Sequence, residues 1–552
     1  MISLFAAELP HSAGSPRRWA GLHGASLALA VLEAARRHDG PTLVLTHDTP
    51  AALQLESELQ ALTQELPVLL FPDWETLPYD QFSPHQDIIS QRLATLHQLR
   101  SGARAIVLAP VTTVLLRTAP PAFLDRYSLL LKAGARISLE QMRERLQLAG
   151  YALVQQVLEH GEYAVRGSLL DLFPMGAASP LRLDFLDDEL DSIRPFDVES
   201  QRSGSSISDI RLLPAHEFPT DSTGIENFRI RYRQQFEVSN QRDSLYQQVT
   251  RSTLPAGIEY YLPLFFDDTA TLFDYLGSHS LAITIGNLTA AAEQFWADLR
   301  IRYADRRVDP LRPLLPPETL FLKSDELGQR LNRLPRLQID GDSSNVAVDF
   351  GCRPLPELAI HHAASDPLAR LRDFLAHFTG RCLIVAETAG RREQVSELLA
   401  RHQLALPLCT DLHAFIAGNQ PSAIIIGPWH QGFVHTAGKL ALITEQELFG
   451  GRIEQRSKNR ERERGVNPEL LIRNLAELRV GQPVVHVNHG VGRYLGLEKL
   501  AAGDIEAEFM ALEYAAGSKL YVPVSSLHLI SRYSGDSDHP PLHKLGTETW
   551  AK

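Results

Sequence analysis

The stretch "WAGLHGASLALAVLEAARRHDGPTLVLTHD" (Trp19–Asp48) decides the fold class of the first part of this chain. A small-residue turn carrying Gly21, Gly24 and Ser26 opens an apolar helix from about Ser26 to His38, and the strand "PTLVLTH" follows. Turn, helix and strand in this order frame a phosphate-binding loop, which needs G-x-x-x-x-G-K-[ST]. In that loop glycine amides cradle the phosphates, the lysine reaches the β/γ oxygens and the hydroxyl holds Mg²⁺. Here the helix start is present and the lysine is absent. The turn reads either as an ordinary helix start or as a nucleotide site that has lost its chemistry.

Outward from that stretch the alternation continues with helix "AALQLESELQAL", strand "LPVLLFP", helix "HQDIISQRLATLHQL" and strand "ARAIVLAPV". Short apolar strands separated by helices imply βαβ units and a parallel sheet. From about Ser128 the texture changes to short strands broken by Gly, Pro and Asp. In "LRLDFLDDELDSI", Leu181, Leu183 and Phe185 share one face and Arg182, Asp184 and Leu186 the other, as a period of two requires. This segment reads as a small antiparallel insert. Helical pattern returns from "LLPAHEFPT" to about Pro335, and residues 350–450 repeat helix, strand, helix, strand as a second α/β domain. "GRIEQRSKNRERERGVNP" then places six basic and three acidic residues between Arg452 and Arg464, a solvated linker or frayed helix, or else a nucleic-acid patch. Past the helix "PELLIRNLAEL", Gly490, Gly492, Gly496, Gly503 and Gly517 punctuate short strands at the spacing of a small β-barrel.

At 552 residues the chain exceeds one core, and roughly 100 to 200 residues per domain gives about three to five domains. A hydrophobic share of 44% and a charged share of 22% are those of a soluble globular protein. Asp+Glu 66 against Lys+Arg 54 gives a formal charge of −12, which argues against nucleic-acid binding by the whole surface but not by a local patch. The three cysteines, Cys352, Cys382 and Cys409, form no CxxC pair, so neither a zinc ribbon nor a disulfide frame is expected. No export signal and no apolar run of about 18 residues is seen, which implies a cytoplasmic protein away from membranes.

Catalytic patterns fail in turn. "GFVHTAGKL" has Gly432 and Gly438 at the wrong spacing and a leucine after Lys439, and "GSKL" at Gly517–Leu520 lacks the upstream glycine. His216 and Glu217 in "PAHEFP" lack the second histidine of a zincin. His361 with His362, and His486 with His489, read as surface or turn histidines rather than metal ligands, since no first shell completes around them. No G-x-S-x-G elbow and no nucleophilic cysteine signature occurs. What remains is a binding scaffold.

"DWETLPYDQFSPHQDIISQRLATL", "EHGEYAVRGSLLDLFPMG", "LRLDFLDDELDSIRPFDVESQRS", "LITEQELFG" and "GQPVVHVNHGVGRYLGLEKL" with "LEYAAGSKLYVPVSSLHLISRY" resemble, in order, the N-terminal half of the bacterial transcription-repair coupling factor family. The resemblance covers essentially the whole chain. It implies a multidomain α/β protein: a degenerate RecA/UvrB-like α/β module with a small antiparallel β insert, a second α/β domain, and a C-terminal β-barrel of CarD/Tudor type. In this chain that means residues 1–126 as a UvrB-like part with a degenerate nucleotide site at Gly21, Gly24 and Ser26, and residues 127–211 as the UvrA-binding insert. Residues 212–340 would complete the UvrB-like module, 350–450 a third domain without a settled role, 451–471 a charged linker and helix start, and 472–548 an RNA polymerase interaction domain.

The family continues into two RecA-like motor domains with the true phosphate loop, so the resemblance implies a piece of a longer protein. ATP, Mg²⁺ and most contact with double-stranded DNA would belong to those motor domains, and no cofactor is expected in these residues. Unlike UvrB, "TLPYDQFSPHQDI" runs directly into a helix with no aromatic-rich hairpin, which argues against independent lesion verification.

The implied function is that of a monomeric adaptor, not an enzyme in itself, linking RNA polymerase through its β subunit to UvrA. A residual UvrB-like ATPase and a CarD-type transcription regulator are the alternatives. The resemblance places UvrA contact at Arg166, Arg182 and Leu186, the last aromatic in some relatives; an arginine fork suits an acidic surface. Read without the family, Arg182 pairs with neighbouring Asp184 or Asp187 instead. Polymerase contact falls on Leu497, Lys499 and Leu500, where "GRYLGLEKLAAG" suits an exposed strand edge. Leu497 and Leu500 also fit the interior of the barrel.

Overall fold

The computed structural model describes residues 5, 7–14, 16–198, 200–277, 279–339, 347–361, 366–449, 480–486, 490–502, 505–523, 530–532 and 542. The charged run at 452–464, the helix expected after it, and His362, His489 and Gly503 lie outside them. The chain divides into two compact units, one of residues 1–74 and 78–447, the other of residues 75–77 and 448–552.

The larger unit is built on a parallel seven-stranded sheet in the order Val348–Asp349, Arg17–Ala20, Arg336–Ile339, Leu281–Ile285, Thr42–Thr46, Ile106–Pro110, Val68–Leu70. The strand after the opening helix thus sits mid-sheet, and the segment after the insert places two strands, Leu281–Ile285 and Arg336–Ile339, between the first strand of the chain and the second. Both sheet faces are covered, as parallel sheets require. Period-two alternation assigns the residues: Leu43, Leu45, Val107 and Ala109 enter one core, while Val44, Ile106 and Leu108 enter the other.

The first of these cores continues into the insert. Strands Ala152–Leu153, Glu162–Arg166, Leu169–Leu172, Leu181–Leu186 and Glu189–Pro195 form a five-stranded sheet, antiparallel except for its first pair. Leu170, Leu172, Leu181, Leu183 and Phe185 point into that core, which bears out the face assignment read from alternation. Where the insert meets its neighbours, Arg92 is fully buried. It donates to Glu217 (2.9 Å) and to the Pro72 carbonyl (2.7 Å), and Trp74 Nε1 donates to the other Glu217 oxygen (2.6 Å). Glu217 therefore serves the core. His216 is half-buried and stacked on Phe218, and the loss of solvation there holds its imidazole down at a pKa of about 4.

The second core joins the seven-stranded sheet to the third domain. There, strands Cys352–Arg353, Phe433–His435, Leu440–Thr444, Arg381–Ala386 and Ser422–Ile426 form a mixed sheet in that order. Leu383, Val385, Phe415, Ile425, Trp429 and Phe433 share one cluster with Trp19, Ala28 and Val31. The two α/β parts expected as separate domains thus bury a common apolar layer.

The smaller unit contains an antiparallel sheet in the order Lys519–Pro523, Ile505–Glu513, Gly490–Ala502, Pro483–His486, Ile530–Arg532. No pairing among the described residues joins the two outer strands, so the β fold is present while closure into a barrel is not seen there. His486, expected at the surface, is buried at 4% exposure, because its strand lies between two others. Among the described residues no helix is long and apolar enough to cross a membrane.

Candidate functional site

Arg166, Arg182 and Leu186 sit on strands whose register carries them to the face opposite the insert's core. The row Ala164, Asp171, Arg182, Arg194 runs across four strands, and Arg166, Leu169, Asp184 and Ser192 form the next row. Arg166 is exposed and donates to the Gln155 carbonyl at 3.2 Å. Leu186 is 68% exposed at the entry to a two-residue turn, where Asp187 takes φ +53°. Together with Arg136, Ile137, Ser138 and Gln141 it borders an open groove.

Arg182 departs from the pairing with Asp184 or Asp187. Its Nε and Nη2 donate to the two Asp171 oxygens at 2.7 and 2.9 Å, and its guanidinium lies 4.8 Å from the Phe196 ring centroid. Nη1 reaches the Gln201 carbonyl and Ser203 Oγ, both at 3.3 Å. The partner is neither Asp184 nor Asp187, because the residue directly opposite on the next strand is closer than one two positions along the same strand. The hydrogen bonds to Asp171 raise the arginine's pKa further. Sequence reasoning missed Asp171: the strands Leu169–Leu172 and Leu181–Leu186 have no tight turn between them, so nothing local fixes their register.

In the smaller unit the strand Gly490–Ala502 pairs with Pro483–His486 only through Gly490–Arg493, whereas its pairing with Ile505–Glu513 runs from Arg493 to Ala502. Tyr494 extends this contact, its N–H donating to the Gln482 carbonyl (2.9 Å) and its carbonyl accepting from the Gly481 N–H (2.7 Å); beyond Tyr494 one side of this strand has no partner strand among the described residues. A register shift between Tyr494 and Gly496, with Gly496 at φ +122°, bulges the strand where the unpaired edge begins. Leu497 is partly buried and packs against the Val484, Tyr494, Met510 and Leu512 cluster. Lys499 and Leu500 lie opposite Glu508 and Ala507; their side chains fall outside the described residues.

Gly21 and Gly24 adopt φ +66° and +53°, and Ser26 is buried at the start of helix Ser26–Arg37. The turn has the backbone of a loop–helix junction without a lysine or a free hydroxyl: Ser26 Oγ donates to the His23 carbonyl (2.8 Å) and accepts from the His23 N–H (2.7 Å). Among the described residues no group of three or more His, Cys, Asp or Glu is arranged to hold a metal ion.

Three family models match the chain in sequence order: the UvrB interaction domain over residues 129–218, the MFD D3 domain over 374–448, and the CarD-like/TRCF RID domain over 478–534. The chain belongs to the transcription-repair-coupling factor family, in its N-terminal region. The transcription-repair-coupling factor of Escherichia coli (strain K12) is 48% identical over 549 residues, covering 99% of this chain and 47% of the relative. That of Haemophilus influenzae (strain Rd) is 49% identical over 531 residues, 95% of this chain and 46% of the relative. That of Bacillus subtilis (strain 168) is 26% identical over 570 residues, 97% and 46%. The chain spans about half the length of the curated relatives it matches. The three matched segments fall on different sheets: the insert, the third domain and the C-terminal antiparallel sheet.

Proposed function

We propose that these residues form the adaptor of transcription-coupled nucleotide excision repair, holding stalled RNA polymerase with one surface and recruiting UvrA with another. The observation that carries this reading is the coexistence, in one chain, of an outward insert face bearing Arg166 and Leu186 and of a strand whose edge beyond Tyr494 has no partner strand among the described residues. The edge supplies main-chain donors and acceptors to a strand of the polymerase β subunit, a mode in which backbone hydrogen bonds give affinity and neighbouring side chains give selection. The insert offers an exposed cation beside an exposed apolar side chain, a pairing suited to a protein surface with carboxylates around an apolar spot. The C-terminal sheet acts as a CarD-type barrel, and the chain works as a monomer in the cytoplasm. No step in this role uses ATP within these residues, and translocation by the longer relatives belongs to their remaining half.

The test is stepwise capture. Stalled elongation complexes are immobilised through the transcript, the chain is added and washed, and UvrA follows. Retention of the chain, and of UvrA only when the chain is present, is the expected result. UvrA retention that does not depend on the chain, or failure of the chain to be retained, refutes the adaptor.

A further inference from the structure

Helix Ser26–Arg37 begins without a side-chain cap, its cap position being Ala25. The exposed N–H groups at such an end seek an acceptor, and in a nucleotide-binding loop a phosphate oxygen provides it. Here the Ala25 N–H donates to the Gln431 carbonyl at 2.9 Å, from a loop of the third domain. The approach is close enough to explain the glycine: a Cβ on Gly24 would overlap Gln431 O and come within 2.7 Å of Gly432 O. At Gly21 a Cβ would overlap the Asp349 carboxylate and lie 2.7 Å from Gly351 N, while Cys352 N–H donates to the Gly21 carbonyl at 2.7 Å. Both glycines admit the chain's own backbone.

The loop that supplies the carbonyl is pinned along its length. Gly427 N–H donates to the Ala386 carbonyl (3.0 Å), and Gln54 Nε2 from the first module donates to the Pro428 carbonyl (3.3 Å). Trp429 is 3% exposed in the core shared by the two sheets, Thr444 Oγ1 donates to the His430 carbonyl (3.0 Å), and Gly432 N–H donates to Glu447 (2.7 Å).

We infer that the segment Gly427–Gly432 is a built-in substitute for a nucleotide, seated at the start of helix Ser26–Arg37 and fastening the third domain to the first module. A neutral carbonyl satisfies the helix end with no counter-charge, so the lysine and Mg²⁺ of a working loop have nothing to neutralise. The plug is part of the same chain, and a free nucleotide would have to extract Trp429 from an apolar core before reaching Ala25. This gives the third domain a task distinct from partner binding, so the inference stands whether or not the adaptor reading does.

Hydrogen exchange on the intact chain tests it, with and without millimolar MgATP. Slow exchange in peptides covering residues 20–30 and 427–435, unchanged by MgATP, is expected; fast exchange in either, or protection that appears only with MgATP, overturns the plug. In Gly24→Val, exchange should rise at least tenfold in both segments together while residues 162–195 keep wild-type rates. A rise confined to residues 20–30, or no rise in either segment, would show that the two are not fastened to each other. Should Gly24→Val not fold, the wild-type arm decides alone.

Discussion

Arg182 and Asp171 face each other on neighbouring strands of the insert, joined by two hydrogen bonds of 2.7 and 2.9 Å, with Asp171 buried at 6% exposure. An arginine so engaged is a structural element of the sheet before it is a contact for a partner. Asp171→Ala should lower stability by about 1–3 kcal/mol, the cost of leaving a half-buried charged group without its acceptor. Urea unfolding of the two single variants and the double variant checks this, and a coupling near zero would refute the pair's importance. Any loss of UvrA binding in Arg182→Ala should come with a loss of sheet stability.

Arg166 and Leu186 behave differently because neither is needed by the core. Arg166→Ala and Leu186→Asp should each leave the unfolding midpoint within about 0.5 kcal/mol of wild type, as for surface positions generally. Each should weaken capture of UvrA at least tenfold, read by surface plasmon resonance. Wild-type affinity in both variants would remove the insert face from the proposed interface.

On the C-terminal sheet, Leu500 lies opposite Ala507 on the part of its strand that has one neighbour only among the described residues. Leu500→Arg should abolish polymerase retention in a pull-down while the circular-dichroism spectrum stays unchanged. Leu497 is partly buried against the sheet's apolar cluster, so Leu497→Arg should also lower the sheet's stability. Retained polymerase binding by a folded Leu500→Arg chain would move the contact elsewhere.

Two groups with opposite shifts contribute to the pH dependence. Burial pushes the Glu259 carboxyl up to about 7 from 4.5, with Ser83 Oγ donating to it at 2.8 Å. The folded chain keeps a proton that the unfolded chain releases, so this stabilisation is complete below about pH 4.5 and is lost as pH rises through 7. Its size is about 3 kcal/mol at about 1.4 kcal/mol per pKa unit. His216, lowered from 6.5 to about 4 by burial, acts in the other direction: its contribution is complete above about pH 6.5 and is lost as pH falls through 4. Between about pH 4.5 and 6.5 the two slopes offset each other. Removing the Glu259 contribution, Glu259→Gln should therefore show stability rising more steeply with pH over that range than the wild type does, in urea midpoints taken from pH 4 to 8. Parallel curves for the two proteins would contradict the assignment.

Local pattern was enough for the elements. The helix from Ser26 ends at Arg37, one residue short of the expected His38, and "LRLDFLDDELDSI" divides inside from outside as its alternation requires. The small residues at Gly21 and Gly24 marked a special turn, and the missing lysine set it apart from the phosphate-loop pattern. Their partners were not legible. Gln431 lies about four hundred residues from Gly24, and nothing in "GPWHQGF" signals that a carbonyl there will meet a helix start.

The same division holds at the partner-binding face. The sequence by itself determined which residues form strands and helices and which faces are apolar, because hydrophobic period and turn chemistry act over a few residues. Only the tertiary structure decided that Arg182 is held by Asp171, that Leu497 packs partly buried against the C-terminal sheet's cluster, and that the third domain shares a core with the first module. Strand register and domain docking are set by contacts between segments far apart in the chain, whose relative placement no local pattern encodes.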